Sequence, residues 1–374
     1  MSRRTLAVVI TSVSVAVLLL LCNPVFAGRD SSSYRVLEPI RHGSLTIFPV
    51  VVSEVQDTSG FITLDEGLRS GEVVVTEAGR VEPMMRRRRV PVPVPRSDGA
   101  EVNRLVLVNN SDRPLILLAG EIVTGGKQDR VIGKDRIVPA NSDPVDLSVF
   151  CVEPGRWTRT SENFAGFKQL MAQPSVRRKA MADKDQQGVW NGVRESAAKM
   201  AAAAPAAVST VEQTSSYAGV MRNEAVQEQV DSVAAPILAS FEGVRRELKD
   251  RRAVGVVVAV NGRIIWADIF ASSSLLDKYW PKLARSYAAE AITLPAVYPE
   301  LGKVNVASAQ EYLSDLRGGR EVVETEPGVF RHVEISAADF KVFELTSLLR
   351  KTGFAVHIAK MSADPEERGT MLIR

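Results

Sequence analysis

The chain has 374 residues, of which 45% are hydrophobic and 24% charged. That balance excludes a largely disordered chain, a collagen-like fibre and a small disulfide scaffold, and the length provides for two domains or one elaborated domain. Lys and Arg number 47 against 44 Asp and Glu, a net charge of +3, so no overall basic field exists to drive specific nucleic-acid binding.

Arg3 and Arg4 precede an uncharged, mostly apolar run from Leu6 to Cys22, followed by Val25-Phe26-Ala27. This is the layout of a secretory signal peptide over residues 1–27, cleaved after Ala27, and it predicts an exported protein, periplasmic or extracellular. The alternative is an uncleaved anchor, since the run is at the lower limit for a spanning helix. Leu21 stands where a lipidated Cys22 would want a small residue. No later apolar run is long enough to span a bilayer, so no transmembrane segment is expected after cleavage. Cleavage leaves Cys151 as the one cysteine, and stability then rests on packing and not on a disulfide.

Residues 28–157 read as β-rich. Leu45–Val52 is a strand run broken by Pro49, and Glu72–Glu77 alternates weakly. Leu105–Val108 and Leu115–Leu118 flank the turn residues Asn109–Pro114, as in a buried hairpin. Arg136–Pro139 and Val145–Val152 add two more strands. Short strands at this spacing suggest a sandwich or open barrel. Arg86–Arg89 followed by Val90–Pro95 predicts an extended, solvated connection.

Residues 158–220 are polar and then Ala-rich, and predict a flexible linker with short helices around Phe164–Ala172 and Val189–Lys199. Residues 221–374 look mixed. Asn223–Arg252 has helical spacing, with a kink or break expected at Pro236. Ala253–Val260 and Arg263–Phe270 flank Asn261-Gly262, the signature of a type I′ hairpin. Ser272–Ser274 can cap a helical region to Ala291, interrupted or kinked at Pro281. Ser308–Arg317 predicts a short helix, and Glu321–Thr325, Phe330–Ile335, Val342–Thr346 and Phe354–Met361 predict strands. The fold class expected is α+β: a β-rich N-terminal sandwich or open barrel packed with a mixed hairpin, helix and strand portion.

Site signatures are mostly missing. His42, His332 and His357 are scattered, and no C-x-x-C or H-E-x-x-H occurs, so no metal site is expected. No nucleotide- or flavin-cofactor fingerprint is present either, and no cofactor is expected. Gly120–Lys127 has the spacing of a phosphate-binding loop but lacks its Gly-Lys-Ser/Thr ending. Two polar patches beside apolar strands stand out. One holds Glu121, Lys127, Gln128 and Arg130, with Gly125-Gly126 permitting a positive-φ turn. The other is Cys151-Val-Glu-Pro-Gly-Arg-Trp157, where Arg156 beside Trp157 suits a carboxylate, a phosphate or a stacked ring. Salt bridges of Glu121 with Lys127 or Arg130, and of Glu153 with Arg156, are the purely structural alternative. Cys151 reads as a buried, inert thiol, with no histidine in its patch.

Leu117-Leu-Ala-Gly-Glu121, Gly125-Gly-Lys-Gln-Asp-Arg130 and Cys151-Val-Glu-Pro-Gly-Arg-Trp157 together resemble the ARG and Rhodanese-Phosphatase-superfamily-associated protein domain family. The family pattern runs Gly-Glu, then Gly-Ala-Lys-Gln-Asn-Arg, then Cys-Val-Glu-Gln-Gly-Arg-Trp. Leu45–Pro49, Gln187–Trp190 and Val260–Tyr287 match more weakly, so the resemblance spans most of the mature chain. The sequence departs at Gly126 for Ala, Asp129 for Asn and Pro154 for Gln, and residues 200–216 look like an expansion. The resemblance implies association with ADP-ribosylglycohydrolase and phosphatase domains, and hence nucleotide-derived or ADP-ribose-like ligands. It carries over no reaction.

Three functions follow as expectations. The first is binding of an anionic small molecule, with Glu121, Lys127, Gln128, Arg130, Glu153 and Arg156 lining the site and Trp157 or Trp190 stacking. The second is a hydrolase or transferase with Glu121 or Glu153 as general base. The third is a cell-envelope structural or interaction protein, its partners unspecified.

Overall fold

The computed structural model describes residues 33–77, 103–156, 160–161, 163–294, 304–314, 316 and 319–363. The segment 1–27, the Arg86–Pro95 stretch and Trp157 lie outside them. In chain order come strands β1 (Arg35–Val36), β2 (Ile40–His42), β3 (Leu45–Val52) and β4 (Ile62–Thr63), then helix α1 (Leu64–Ser70). Strands β5 (Val73–Glu77), β6 (Arg104–Asn109), β7 (Leu115–Leu117) and β8 (Glu121–Thr124) follow, then β9 (Arg130–Ile132), β10 (Arg136–Val138), β11 (Val145–Cys151) and β12 (Ala165–Met171). A helical stretch holds α2 (Pro174–Arg178), a π-helical turn (Lys179–Asp183), α3 (Gln186–Ala203), α4 (Val208–Gln213), α5 (Tyr217–Arg222) and α6 (Glu224–Glu247). The last part is β13 (Arg252–Val260), β14 (Arg263–Phe270), α7 (Ser273–Thr293), α8 (Val306–Ser314), β15 (Arg320–Glu326), β16 (Phe330–Ser336), β17 (Phe340–Ser347) and β18 (Ala355–Ser362).

This is an α+β fold with three sheets among the described residues. A nine-stranded antiparallel sheet runs β1-β3-β13-β14-β18-β17-β16-β15, with β2 paired to β3. Its centre is the hairpin of β13 and β14, whose turn residues Asn261 and Gly262 both take positive φ, 51° and 75°, as a type I′ turn needs. The N-terminal β3 pairs with β13 from Leu45↔Val260 to Val52↔Arg252, so the first strands of the chain are built into the sheet of its second half. A six-stranded sheet (β12-β8-β9-β11-β6-β5) and a three-stranded sheet (β10-β7-β4) form the expected β-rich portion. They enclose Leu105, Leu107, Leu117, Val123 and Val149.

Helix α7 ties the layers together. Most of its residues are buried, as for a helix with apolar contacts all round. Several of its polar residues meet a partner on another element. Lys282 pairs with Glu121 of β8, and Tyr287 donates to Asp268 of β14. Glu290 accepts from Gln173 and Ser175 at the start of α2.

Two expectations change. Phe164–Ala172, expected as helix, contains β12, which pairs Ala165 with Thr124 and Gly166 with Val123. Pairing along β8 satisfies backbone groups over non-local distance, and Gly166 gives the helix little to set against it. Residues 163–220, expected as part of a flexible linker, form packed structure, with Val176, Met181, Val189, Val193, Met200 and Ala207 buried. Of the Ala-rich stretch, Ala204 and Ala207 are buried in the core, while Ala202 and Ala206 are exposed. Pro236 and Pro281 lie inside α6 and α7, and both helices run on through them. Among the described residues no helix is long and apolar enough to cross a membrane.

Candidate functional site

The two polar patches converge because β9 and β11 are neighbours. Arg130 lies directly opposite Cys151, which brings the loop 125–129 against the residues after Cys151. Gly125 and Gly126, at φ 129° and 52°, turn the chain between β8 and β9. The amides of this turn face carboxylates and a hydroxyl of the protein. Gly125 N donates to Asp129 Oδ1 at 3.0 Å, Gly126 N to Ser161 Oγ at 3.1 Å and Lys127 N to Glu77 Oε1 at 2.7 Å.

The second patch closes over the first. Asp129 N donates to Glu153 Oε2 at 3.0 Å, and Gln128 Nε2 to the Glu153 carbonyl at 3.1 Å. Arg156 Nη2 pairs with Glu153 Oε2 at 2.5 Å and reaches Asp129 Oδ1 at 3.4 Å, while its Nη1 donates to the Gly126 carbonyl at 3.2 Å. The Ala-rich segment takes part: Ser216 Oγ donates to Asp129 Oδ2 at 2.8 Å. Burial first, then the nearby Glu153, pushes the Asp129 carboxyl above its ordinary range.

Arg130 is different from everything around it. It has no solvent exposure. Its Nη1 donates to the carbonyls of Gln128 and Asp129, at 2.7 and 3.4 Å. Among the described residues its Nε and Nη2 have no hydrogen-bond partner, nor have Gln128 Oε1 and Glu77 Oε2. Among the described residues no carboxylate oxygen comes within ion-pair distance of its guanidinium. Burial pulls the guanidinium below its ordinary pKa. Buried charges are normally paired. Around it the polar cluster is graded in depth, from Arg156 at 21% side-chain exposure to Asp129 at 7% and Arg130 inside.

The two candidate bases are already engaged. Glu121 is buried, with Oε1 2.5 Å from Lys282 Nζ and Oε2 accepting from Leu118 N at 2.8 Å. Its partner is Lys282 of α7, not Lys127 or Arg130, because β8 carries Glu121 to the helix side. Glu153 is held by Arg156, as the structural alternative had it. Trp190, on α3, faces the Cys151 thiol, which burial pushes above its ordinary pKa. Trp157 lies outside the described residues.

A second polar centre joins residues that no local motif marks. His357 of β18 lies between two carboxylates, with Nδ1 2.6 Å from Asp135 Oδ2 and Nε2 3.0 Å from Asp268 Oδ1. Arg177 of α2 donates to Asp268 Oδ2 at 2.8 Å, Tyr287 of α7 donates to the same oxygen, and Ala119 N donates to Asp135 Oδ1 at 2.7 Å. All are buried. Burial opposes a charge on His357, but the two aspartates outweigh it and raise its pKa to about 9. Burial likewise opposes the Asp268 carboxylate, yet Arg177 and His357 hold it well below the usual carboxylate range. The pairing along the large sheet places His332 and His357 on one face, two strands apart. Glu324, His332, Leu345, His357 and Phe270 are opposed in turn across β15, β16, β17, β18 and β14, so they share one face.

A family model, the ARG and Rhodanese-Phosphatase-superfamily-associated Protein domain, matches residues 33–361. The chain belongs to this family. No curated protein and no solved structure matches it. The match covers both polar centres, and the family's motif glycines now have physical reasons. Gly120, at φ 96°, lies under Arg177: a Cβ there would sit 2.7 Å from Arg177 Cδ. Gly126 departs from the family's Ala in a crowded place, where a Cβ would meet Phe164 Cζ at 2.3 Å and Glu77 Oε1 at 2.6 Å. Asp129, in place of the family's Asn, keeps a full set of partners by recruiting Ser216 and Arg156.

Proposed function

We propose that this is an exported protein that binds a small anionic molecule, of nucleotide-like or ADP-ribose-like chemistry, between its Gly125–Arg130 and Cys151–Arg156 segments. The observation that supports this reading is the buried Arg130 without an ion-pair partner. A guanidinium in that state offers two free N–H groups in a fixed fork, the geometry that phosphate and carboxylate oxygens match. Lys127 and Arg156 form the more exposed rim, and Gln128 Oε1 accepts from a hydroxyl or amide of the ligand. Glu121 and Glu153 each hold a cation already, so binding is favoured over general-base catalysis.

The test is thermal unfolding of the secreted protein with ADP-ribose, NAD, nucleotides, sugar phosphates and inorganic phosphate, beside Lys127→Glu and Arg130→Met. A ligand at about 100 times its Kd adds about 2.7 kcal/mol, a shift of a few degrees. The shift should vanish in Arg130→Met while that variant still unfolds cooperatively. A full shift in Arg130→Met, or none with any of these compounds, overturns the reading. Export is checked by the mass of the secreted chain, which should begin at Gly28.

A further inference from the structure

At the other end of the β9–β11 pairing a cleft of about 360 Å³ opens between the six-stranded sheet, the π-helical turn and the outer strands of the nine-stranded sheet. That is within the size range of small-molecule sites. Its charges are sorted by wall. Lys134 and Arg136, around the start of β10, and Lys184, after the π-helical turn, stand on one side. Glu324 of β15 and Glu334 of β16 stand on the other. Lys134 pairs with Glu324 across the gap, and Lys184 Nζ pairs with Glu334 Oε2 at 2.7 Å. Asp146, which also lines the cleft, is occupied by Arg104 at 2.5 Å. Ion pairs as exposed as these two exchange partners at little cost.

The lining also includes a polar group with nothing to bind. His332 of β16 is 6% exposed, and its Nε2 has no hydrogen-bond partner. Burial pulls its pKa down to about 4, so at neutral pH the ring carries one donor and one acceptor. Phe150, Met181 and Phe343 supply apolar surface.

We propose that this cleft is a second binding site, for a free apolar α-amino acid or a zwitterion of the same size. The carboxylate takes the place of Glu324 and Glu334 on Lys134 and Lys184, and the ammonium takes the place of the two lysines on the glutamates. His332 Nε2 gains a hydrogen bond to the ligand's polar end, and the apolar side chain lies on the two phenylalanines. Opposite charges on opposite walls match a molecule that carries both, and favour it over a pure anion or a pure cation.

Isothermal calorimetry on the full chain tests this with L-leucine, L-methionine and L-phenylalanine, each beside its amide and its N-acetyl form. At least one free amino acid should bind, and each blocked form at least tenfold more weakly, since each lacks one of the two charges. The double variant Lys134→Glu with Glu324→Lys keeps that ion pair but reverses its direction across the cleft. It should lose at least tenfold in affinity at an unchanged melting temperature. His332→Phe should weaken binding too, and Arg130→Met should leave it intact, which separates this site from the family motif. No binding of any of the three amino acids, equal binding of the blocked forms, or full affinity in the double variant overturns the proposal.

Discussion

Arg130 and Arg177 are both cut off from solvent, on neighbouring parts of one molecule, and their surroundings treat them in opposite ways. Arg177 meets Asp268 at 2.8 Å and lies over the Trp266 ring at 4.8 Å, inside a centre that also holds Asp135, His357 and Tyr287. Arg130 meets two backbone carbonyls and no carboxylate. Both leave Nε and Nη2 without a partner, so unfilled donors alone do not separate them. The separation lies in charge. A buried charge paired at contact distance locks elements together, whereas one held by carbonyls and drawn by the more distant Glu77 and Asp129 keeps a desolvation cost that a bound anion can offset.

The comparison breaks most visibly at the matched centre. Arg177→Met leaves Asp268 buried with one fewer cation, and is expected to destabilise by about 3–5 kcal/mol. Urea unfolding measures it, and a loss below about 1 kcal/mol would mean that the centre is not a structural lock.

pH probes the same centre from both sides. His357 is raised to about 9, so its contribution is complete below its ordinary pKa of about 6.5 and is lost as pH rises through 9. Asp135 and Asp268 are lowered, so theirs is present above the ordinary carboxylate range and is lost as pH falls below it. His332, held neutral down to about 4, adds a further loss on acidification from about 6.5 to 4. The alkaline limb should be on the order of 3 kcal/mol. Urea midpoints from pH 4 to 10 should show it, and His357→Gln should remove that limb. If His357→Gln keeps the limb, the titrating group lies elsewhere.

The two centres were not equally legible in the sequence. Gly125–Arg130 and Cys151–Arg156 are each contiguous polar runs at strand ends, and the family resemblance links them. The matched centre draws Arg177, Asp268, Tyr287 and His357 from four separate elements and Asp135 from the loop before β10, and only the tertiary fold places them together. His357 sits in an apolar strand run, where a polar residue invites the question of its partner, but no spacing names Asp135. The hairpin at Asn261-Gly262 was legible because its turn chemistry is local. The identity of β12 was not, because its short mixed sequence, Ala-Gly-Phe-Lys-Gln-Leu-Met, fits helix or strand until a partner such as β8 decides. The packing of residues 163–220 was hidden by composition: alanine signals low complexity and close helix packing alike. Helix α1 was missed, although Thr63 and Glu66 at its start form a capping box.

A smaller effect tests how closely the motif turn is fitted. Gly126→Ala recreates the family's residue, but its Cβ meets Phe164 and the Glu77 carboxylate. Positive φ and crowding together should cost about 1–2 kcal/mol. Phe164→Leu in the same chain should recover part of that, with a coupling above about 0.5 kcal/mol in the double-mutant cycle. Strict additivity would mean that Phe164 does not set the choice of glycine.

The smallest expected stability change is the one that bears hardest on the comparison. Arg130→Met removes a buried charge that Glu77 and Asp129 attract only from beyond ion-pair distance, and puts an apolar chain among Cys151 and the strands around it. Two backbone carbonyls lose a donor, which costs about 1 kcal/mol each. Against that, the desolvation penalty of an unpaired guanidinium disappears, and replacing buried charge by apolar side chains is often neutral or stabilising. The net is expected within about 1 kcal/mol of zero, far from the loss in Arg177→Met. Measured side by side in ligand-free buffer, the pair gives a contrast that does not depend on knowing the ligand. Equal losses in the two variants would place Arg130 with the locks, and the reason for its missing carboxylate would then have to be sought in the fold and not in a bound anion.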